Sequence, residues 1–206
     1  MDQSLLLVFN LAVLIVSVVA HEVSHGLAAN KLGDPTARDL GRLSFNPLKH
    51  LDFTGSFLVP LISYLAGGFI FGWAKPVPYN PYNLKNQKWG PAAVAAAGPL
   101  SNFIIALVFG LGLRFISVVP PAAALAVGVI IYINILLGVF NLIPIPPLDG
   151  SKILAAVLPY RYERQLAMLE RYGMFLVILF IFFLFPLIAP IIPLLFKLIT
   201  GVPFLF

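Results

Sequence analysis

The sequence predicts an all-α membrane protein: a polytopic bundle of about four to five transmembrane helices, with a re-entrant or interfacial segment of irregular or β structure around residues 34–90. Three observations lead there. Of the 206 residues, 60% are hydrophobic and only 10% are charged, whereas a typical soluble domain carries roughly 25% charged residues. Several apolar runs approach or exceed the roughly 20 residues that cross a bilayer as a helix. Between these runs lie polar stretches rich in Pro, Gly and Asn, which end helices. The whole of 1–206 reads as one integral membrane domain, with its core in 4–158 and a C-terminal transmembrane segment in 173–206.

The elements follow in order. Residues 4–29 are the first strong membrane segment. Met1, Asp2 and Gln3 supply no basic leader and the run is too long for a signal-peptide core, so a retained helix is expected. The stretch KLGDPTARDLGRLSFNPLKHLDFTG then turns repeatedly. A weaker apolar segment, 56–73, contains Pro60 and Gly67-Gly68, both unfavourable inside a helix. AKPVPYNPYNLKNQKWGP is again turn-rich. Such backbone cannot face lipid, so it lies at the interface or against protein. Strong segments follow at 91–117, 123–143 and 173–196, the last interrupted by Pro186, Pro190 and Pro193.

Charge and cysteine content narrow the chemistry. The net charge of +5 comes without any nucleic-acid-binding motif, and in membrane proteins basic residues collect in cytoplasmic loops. No nucleic-acid partner is expected. There are no cysteines, so a metal site would have to use His, Asp or Glu.

One such cluster stands out. HEVSHG, residues 21–26, places three ionisable groups in an otherwise apolar run. Ionisable groups in a membrane helix are costly and mark function. His21 and His25 are four apart, so on a helix both imidazoles leave one face. Glu22 sits beside them, able to accept a proton. This is the HExxH pattern of zinc metalloproteases. Two histidines and a water leave zinc one ligand short. Of the remaining acids, Asp2, Asp34, Asp39, Asp52, Glu163 and Glu170 lie in polar flanks. Asp149 instead sits in NLIPIPPLDGSKIL, where prolines forbid a regular helix and Gly150 permits a tight turn. An extended segment returning a carboxylate to the membrane is one reading; a helix-capping Asp is the other.

HEVSH, the N-x-x-P…L-D-G pattern of Asn141 to Gly150, and Gly98 with Asn102 in AAGPLSNFIIAL together resemble the site-2 protease family of intramembrane zinc metalloproteases, in its compact bacterial and archaeal branch. The resemblance covers residues 15–158. It implies that His21, His25 and Asp149 bind one zinc ion per chain and that Glu22 is the general base. It further implies that Asn102 and Asn141 steady the substrate or the developing oxyanion; bonding between helices is the other reading of these amides. The implied substrates are transmembrane segments of other proteins, cut inside the lipid bilayer of the cell membrane. The irregular 44–90 region would offer an edge to an extended substrate. Oligomeric state and substrate identity stay open. A membrane metal transporter and a catalytically silent family member are the competing functions, and the second motif argues against the first.

The implied ligands also constrain topology. His25 near the exit of the first helix must meet Asp149 just past 123–143, so an even number of crossings separates them. The 91–117 and 123–143 helices supply two, so 56–73 is expected to dip in and return, or to lie along the interface. Lys31, Arg38, Arg42, Lys49, Lys75, Lys85, Lys88, Lys152, Arg161, Arg164 and Arg171 then share one side. The positive-inside rule makes that side cytoplasmic and puts the active site nearer that face.

Overall fold

A computed structural model describes residues 3–59, 61, 62, 65, 74–116 and 118–203 of the chain. The expected dip of 56–73 falls largely outside the described residues.

Helix α1, Gln3–Lys31, runs 29 residues, about 1.5 Å each, more than enough for a core of roughly 30 Å. After it come the short α2, Thr36–Asp39, and a 3-10 turn, Pro47–His50. A single π turn covers Thr54–Leu58 and a further 3-10 turn Pro81–Asn83. The long α3, Gly90–Phe115, and α4, Pro121–Asn141, follow. The short α5, Asp149–Val157, and α6, Glu163–Arg171, lead to α7, Gly173–Phe183, α8, Phe185–Ile188, and α9, Ile191–Thr200.

Among the described residues, three helices are long and apolar enough to cross a membrane: Ser4–Lys31, Gly90–Phe115 and Pro121–Asn141. Counting the bent pair Tyr160–Arg171 and Gly173–Phe183 as one span makes four. Such helices fit a multi-pass membrane protein. The 173–196 run, expected as a membrane segment interrupted by its prolines, is split into α7, α8 and α9. Pro186 opens α8 and Pro190 caps α9, since neither can donate the backbone bond that would continue the helix before it.

The expected β structure in 34–90 is not there: among the described residues no strand occurs. The reason lies in where the amide hydrogens go. Pro76, Pro78 and Pro81 have none. Lys75 N–H donates to the His50 carbonyl, Val77 N–H to Glu22 and Asn80 N–H to Asp34. Asn46 and Asn80 each accept from the amide two residues on, at 3.0 and 3.1 Å. Side chains thus take the donors that a neighbouring strand would need.

Helix α3 is the centre of the bundle and packs against α1, α4, α5 and α9. Small buried residues let it do so: Ala92, Ala95, Gly98, Ala106 and Gly110. In lipid, helices associate by close packing of such residues rather than by expelling water. Ala106, Ile131, Ile135, Ile192 and Phe196 form one apolar cluster among α3, α4 and α9. Ile143, Leu148, Val177 and Phe180 form another behind the 142–148 turn. That turn steers the chain from α4 back to the end of α1.

Candidate metal centre

His21 and His25 lie on one face of α1, with ring centroids 4.6 Å apart and planes nearly perpendicular. Their Nε2 atoms sit 3.0 and 3.2 Å from the same oxygen, Asp149 Oδ2. All three residues are buried, at 6%, 9% and 7% exposure. Asp149 arrives as the first residue of α5. Gly150 makes the approach possible: a Cβ there would stand 2.2 Å from the Leu142 carbonyl oxygen and 2.5 Å from that of Ile143. Only a residue without a side chain lets the turn fold so tightly onto the helix start.

Gly98 does the same from α3. A Cβ at 98 would come within 2.5 Å of both His21 Nε2 and His25 Nε2. Four residues on, the same face carries Asn102, whose Oδ1 lies 2.6 Å from His21 Nδ1. The G-x-x-x-N pattern therefore has a local meaning: the glycine admits the imidazoles and the asparagine takes the far nitrogen of one of them. His25 Nδ1 lies 2.7 Å from the Val94 carbonyl. A carbonyl only accepts, so that nitrogen carries a proton, and in the neutral ring His25 Nε2 presents a lone pair inward.

Two imidazoles and a carboxylate crowd one point, so positive charge must lie among them, as protons or as a metal ion. Burial alone would push the Asp149 carboxyl up, but its hydrogen bonds to His21 and His25 outweigh burial and hold it below the usual carboxylate range. Nitrogen and oxygen donors, each imidazole anchored at its outer nitrogen, are the set that zinc takes. The donor atoms of His21, Glu22 and His25 also lie within 4.8 Å of one another. Glu22 is held differently, since its Oε2 accepts from the Val77 amide at 2.8 Å. The backbone next to that amide is clamped by Arg42, which donates to the carbonyls of Lys75 and Pro76.

A family model for peptidase family M50 matches residues 9–130 and 121–185. The chain belongs to peptidase family M50. It is a zinc metalloprotease of the site-2 type, as the motifs implied. Among its relatives is YwhC of Bacillus subtilis, named as a candidate zinc metalloprotease: 39% identical over 177 residues, 82% of this chain and 77% of that one. A candidate zinc metalloprotease of Methanocaldococcus jannaschii, MJ0611, is 30% identical over 71% of this chain and 72% of its own length. The zinc metalloprotease MJ0392 of the same organism is 29% identical over 79% of this chain, which spans only 38% of that longer relative. No solved structure matches.

The M50 site opens on a cavity of about 150 Å³ walled by His21, Glu22, His25 and Asp149 with Pro76, Val77, Tyr79, Val94, Ala95, Asn141, Pro147 and Lys152. Pro99 has no N–H, so the Ala95 carbonyl on this wall receives no helical bond from it. Tyr79 and Lys152 also line a neighbouring cavity of about 400 Å³, and the Lys152 ammonium lies 5.8 Å from the Tyr79 ring centre.

The two asparagines are placed differently from each other. Asn102 is fully buried, and its nitrogen donates to Asn134 Oδ1 at 2.9 Å and the Ser17 carbonyl at 3.3 Å. Its amide is thus spent between helices rather than facing a substrate. Asn141 lies on the cavity wall and donates to the Leu137 carbonyl at 3.0 Å. Sequence reading missed Val77, Tyr79 and Lys152, and it took Asn134 for a packing contact between helices. Lys152 had a signal, since three residues after Asp149 it shares that helix face. Asn134 had one too, as a polar residue inside a membrane helix.

Proposed function

We propose that this protease hydrolyses peptide bonds within transmembrane segments of other membrane proteins, with one zinc ion held by His21, His25 and Asp149 and the proton carried by Glu22. The observation that carries this reading is the convergence of Asp149 Oδ2 on both imidazole Nε2 atoms, at 3.0 and 3.2 Å. Held by His21, His25 and Asp149, zinc would supply Lewis-acid chemistry, acidifying a water and polarising a carbonyl.

The chain's own residues divide the remaining work. Glu22 is turned about 100° around the helix from His21, and one of its oxygens is tied to Val77. That tie aims the carboxylate, which takes a proton from the attacking water and returns it to the leaving amine. Asn141 and Lys152, on the cavity wall, contact the substrate chain. Asn102 serves the ligand His21 and not the substrate.

An intact helix keeps its carbonyls in its own hydrogen bonds, closed to attack. The substrate enters unwound, with its scissile carbonyl released from helical hydrogen bonds. With α3 and α4 as the two crossings between the ligands, the basic loops face the cytoplasm. A Lys85→Cys variant in right-side-out vesicles should resist impermeant thiol reagents, and labelling from outside would overturn that orientation.

The decisive experiment compares purified wild-type and Glu22→Gln protein on a reporter carrying a transmembrane segment. The variant should keep its zinc and lose roughly 10²–10⁴-fold in cleavage. A zinc-loaded variant that cleaves as well as wild type sinks the proposal.

A further inference from the structure

Behind His21 runs a buried chain of hydrogen bonds that the reaction itself does not use. Asn102 and Asn134 are 0% exposed and Ser17 is 4% exposed. The polarity of this chain can be read from its far end. The Ile130 carbonyl can only accept, and Asn134 Nδ2 faces it at 2.9 Å. The same nitrogen lies 2.9 Å from Ser17 Oγ. Asn134 Oδ1 therefore turns the other way, toward Asn102 Nδ2 at 2.9 Å. Asn102 Nδ2 also meets the Ser17 carbonyl, another pure acceptor, at 3.3 Å. Only Asn102 Oδ1 is left for His21 Nδ1, 2.6 Å away. An amide oxygen accepts, so His21 Nδ1 must carry the proton. Reversing either amide would set like groups face to face, away from water, which is strongly unfavourable.

We propose that Asn134 is a positioning residue for the metal centre: with Ser17 it locks the Asn102 amide, and through that amide it keeps His21 in the tautomer whose Nε2 lone pair meets zinc. The proposal rests on the reading of His21 as a ligand. It also explains an asymmetry between the two histidines. His25 is oriented by a main-chain carbonyl, which has one polarity. His21 is oriented by a side-chain amide, which can flip. A flippable amide needs a second anchor, and α4 supplies it through Asn134.

The test uses full-length protein loaded with zinc and labelled with ¹⁵N-histidine; the chain has only three histidines. In wild type, the nitrogen spectrum should show the His21 proton on Nδ1 and the metal shift on Nε2. Zinc on Nδ1 overturns the proposal without any variant. Cobalt affinity is then measured by chelator competition for Asn102→Leu, Asn134→Leu and the double variant. Asn102→Leu should lose roughly 10–100-fold and Asn134→Leu less. The double variant should lose no more than Asn102→Leu alone, because the relay acts through one amide. Losses that multiply, or an Asn134→Leu protein that binds cobalt as tightly as wild type, overturn it. Should Asn134→Leu not fold, Ser17→Ala is carried through the same cycle with the same criteria. Wild-type protein that binds neither metal overturns the ligand reading itself, and the relay falls with it.

Discussion

His21 Nε2 and Asp149 Oδ2 lie 3.0 Å apart, although 128 positions separate them in the chain. Both residues reach that point because α1 and α5 each pack on α3. The candidate metal centre is therefore a property of the bundle and not of any one helix, and substitutions at the packing points should read out as metal loss.

Replacing Asp149 by Ala removes the carboxylate that joins the two imidazoles. Loss of an outer-shell partner typically costs 10–100-fold in metal affinity, and loss of this direct donor should exceed about 100-fold. Zinc analysis of the purified protein, with helix content followed by circular dichroism, checks it. Full zinc occupancy in the variant would exclude Asp149 as a ligand.

Gly98→Ala should also empty the site while keeping every proposed ligand. The new methyl would stand 2.5 Å from both Nε2 atoms, so α3 must move off α1 or the imidazoles must turn. Overpacking of this kind costs about 1–3 kcal/mol. Gly112, in the same helix, has nothing within 4 Å of a new Cβ, and Gly112→Ala should bind zinc as wild type does.

Gly150→Ala acts on the other approach. Its methyl would meet two backbone oxygens, those of Leu142 and Ile143, which cannot rotate away as a side chain can. The 142–148 turn would shift and carry Asp149 with it. The expected result is lower thermal stability together with weaker zinc binding; an unchanged melting temperature would show that the turn adapts.

Asp34 predicts a pH dependence. It is buried, and its two oxygens accept from Thr36 N–H and Oγ1, Asn80 N–H and Asn83 Nδ2. Burial raises its pKa, but these bonds outweigh burial and hold it below the ordinary carboxylate value. The unfolded chain then binds the proton more tightly than the folded one, so stability is present above the unfolded pKa, about 3.9, and lost as pH falls through the lower folded value. Asp34→Asn leaves several donors unmatched and should cost roughly 1–3 kcal/mol at neutral pH. The gap between variant and wild type should close below about pH 4. A gap that does not change with pH would rule out the carboxylate as its cause.

Much of the candidate site was legible in order along the chain. HEVSH suggests a metal helix because three ionisable groups inside an apolar run need a purpose, and elimination among few acids left Asp149 open as a carboxylate donor or a helix cap until the family resemblance pointed to the first. The two asparagines were harder. Asn102 and Asn141 carry the same amide, and nothing local separates one aimed at His21 from one on the cavity wall. The tether between Glu22 and Val77 was invisible, since it is a backbone contact across 55 positions. The β structure expected around 34–90 failed among the described residues because side chains of Glu22, Asp34, Asn46 and Asn80 consume the donors, and residue type alone does not reveal that competition.

Residue chemistry and order along the chain were enough to define a membrane-embedded metalloprotease: apolar run lengths, an i,i+4 histidine pair, a lone acid in a proline-rich turn. Those properties are local, and local sequence encodes them. Packing alone decided that Gly98 and Gly150 open the room for the donors, that Asn102 serves a histidine, and that Asn134 stands behind it. Each of these depends on which helix faces meet, and that is settled by the fit of small residues along α3 rather than by any motif.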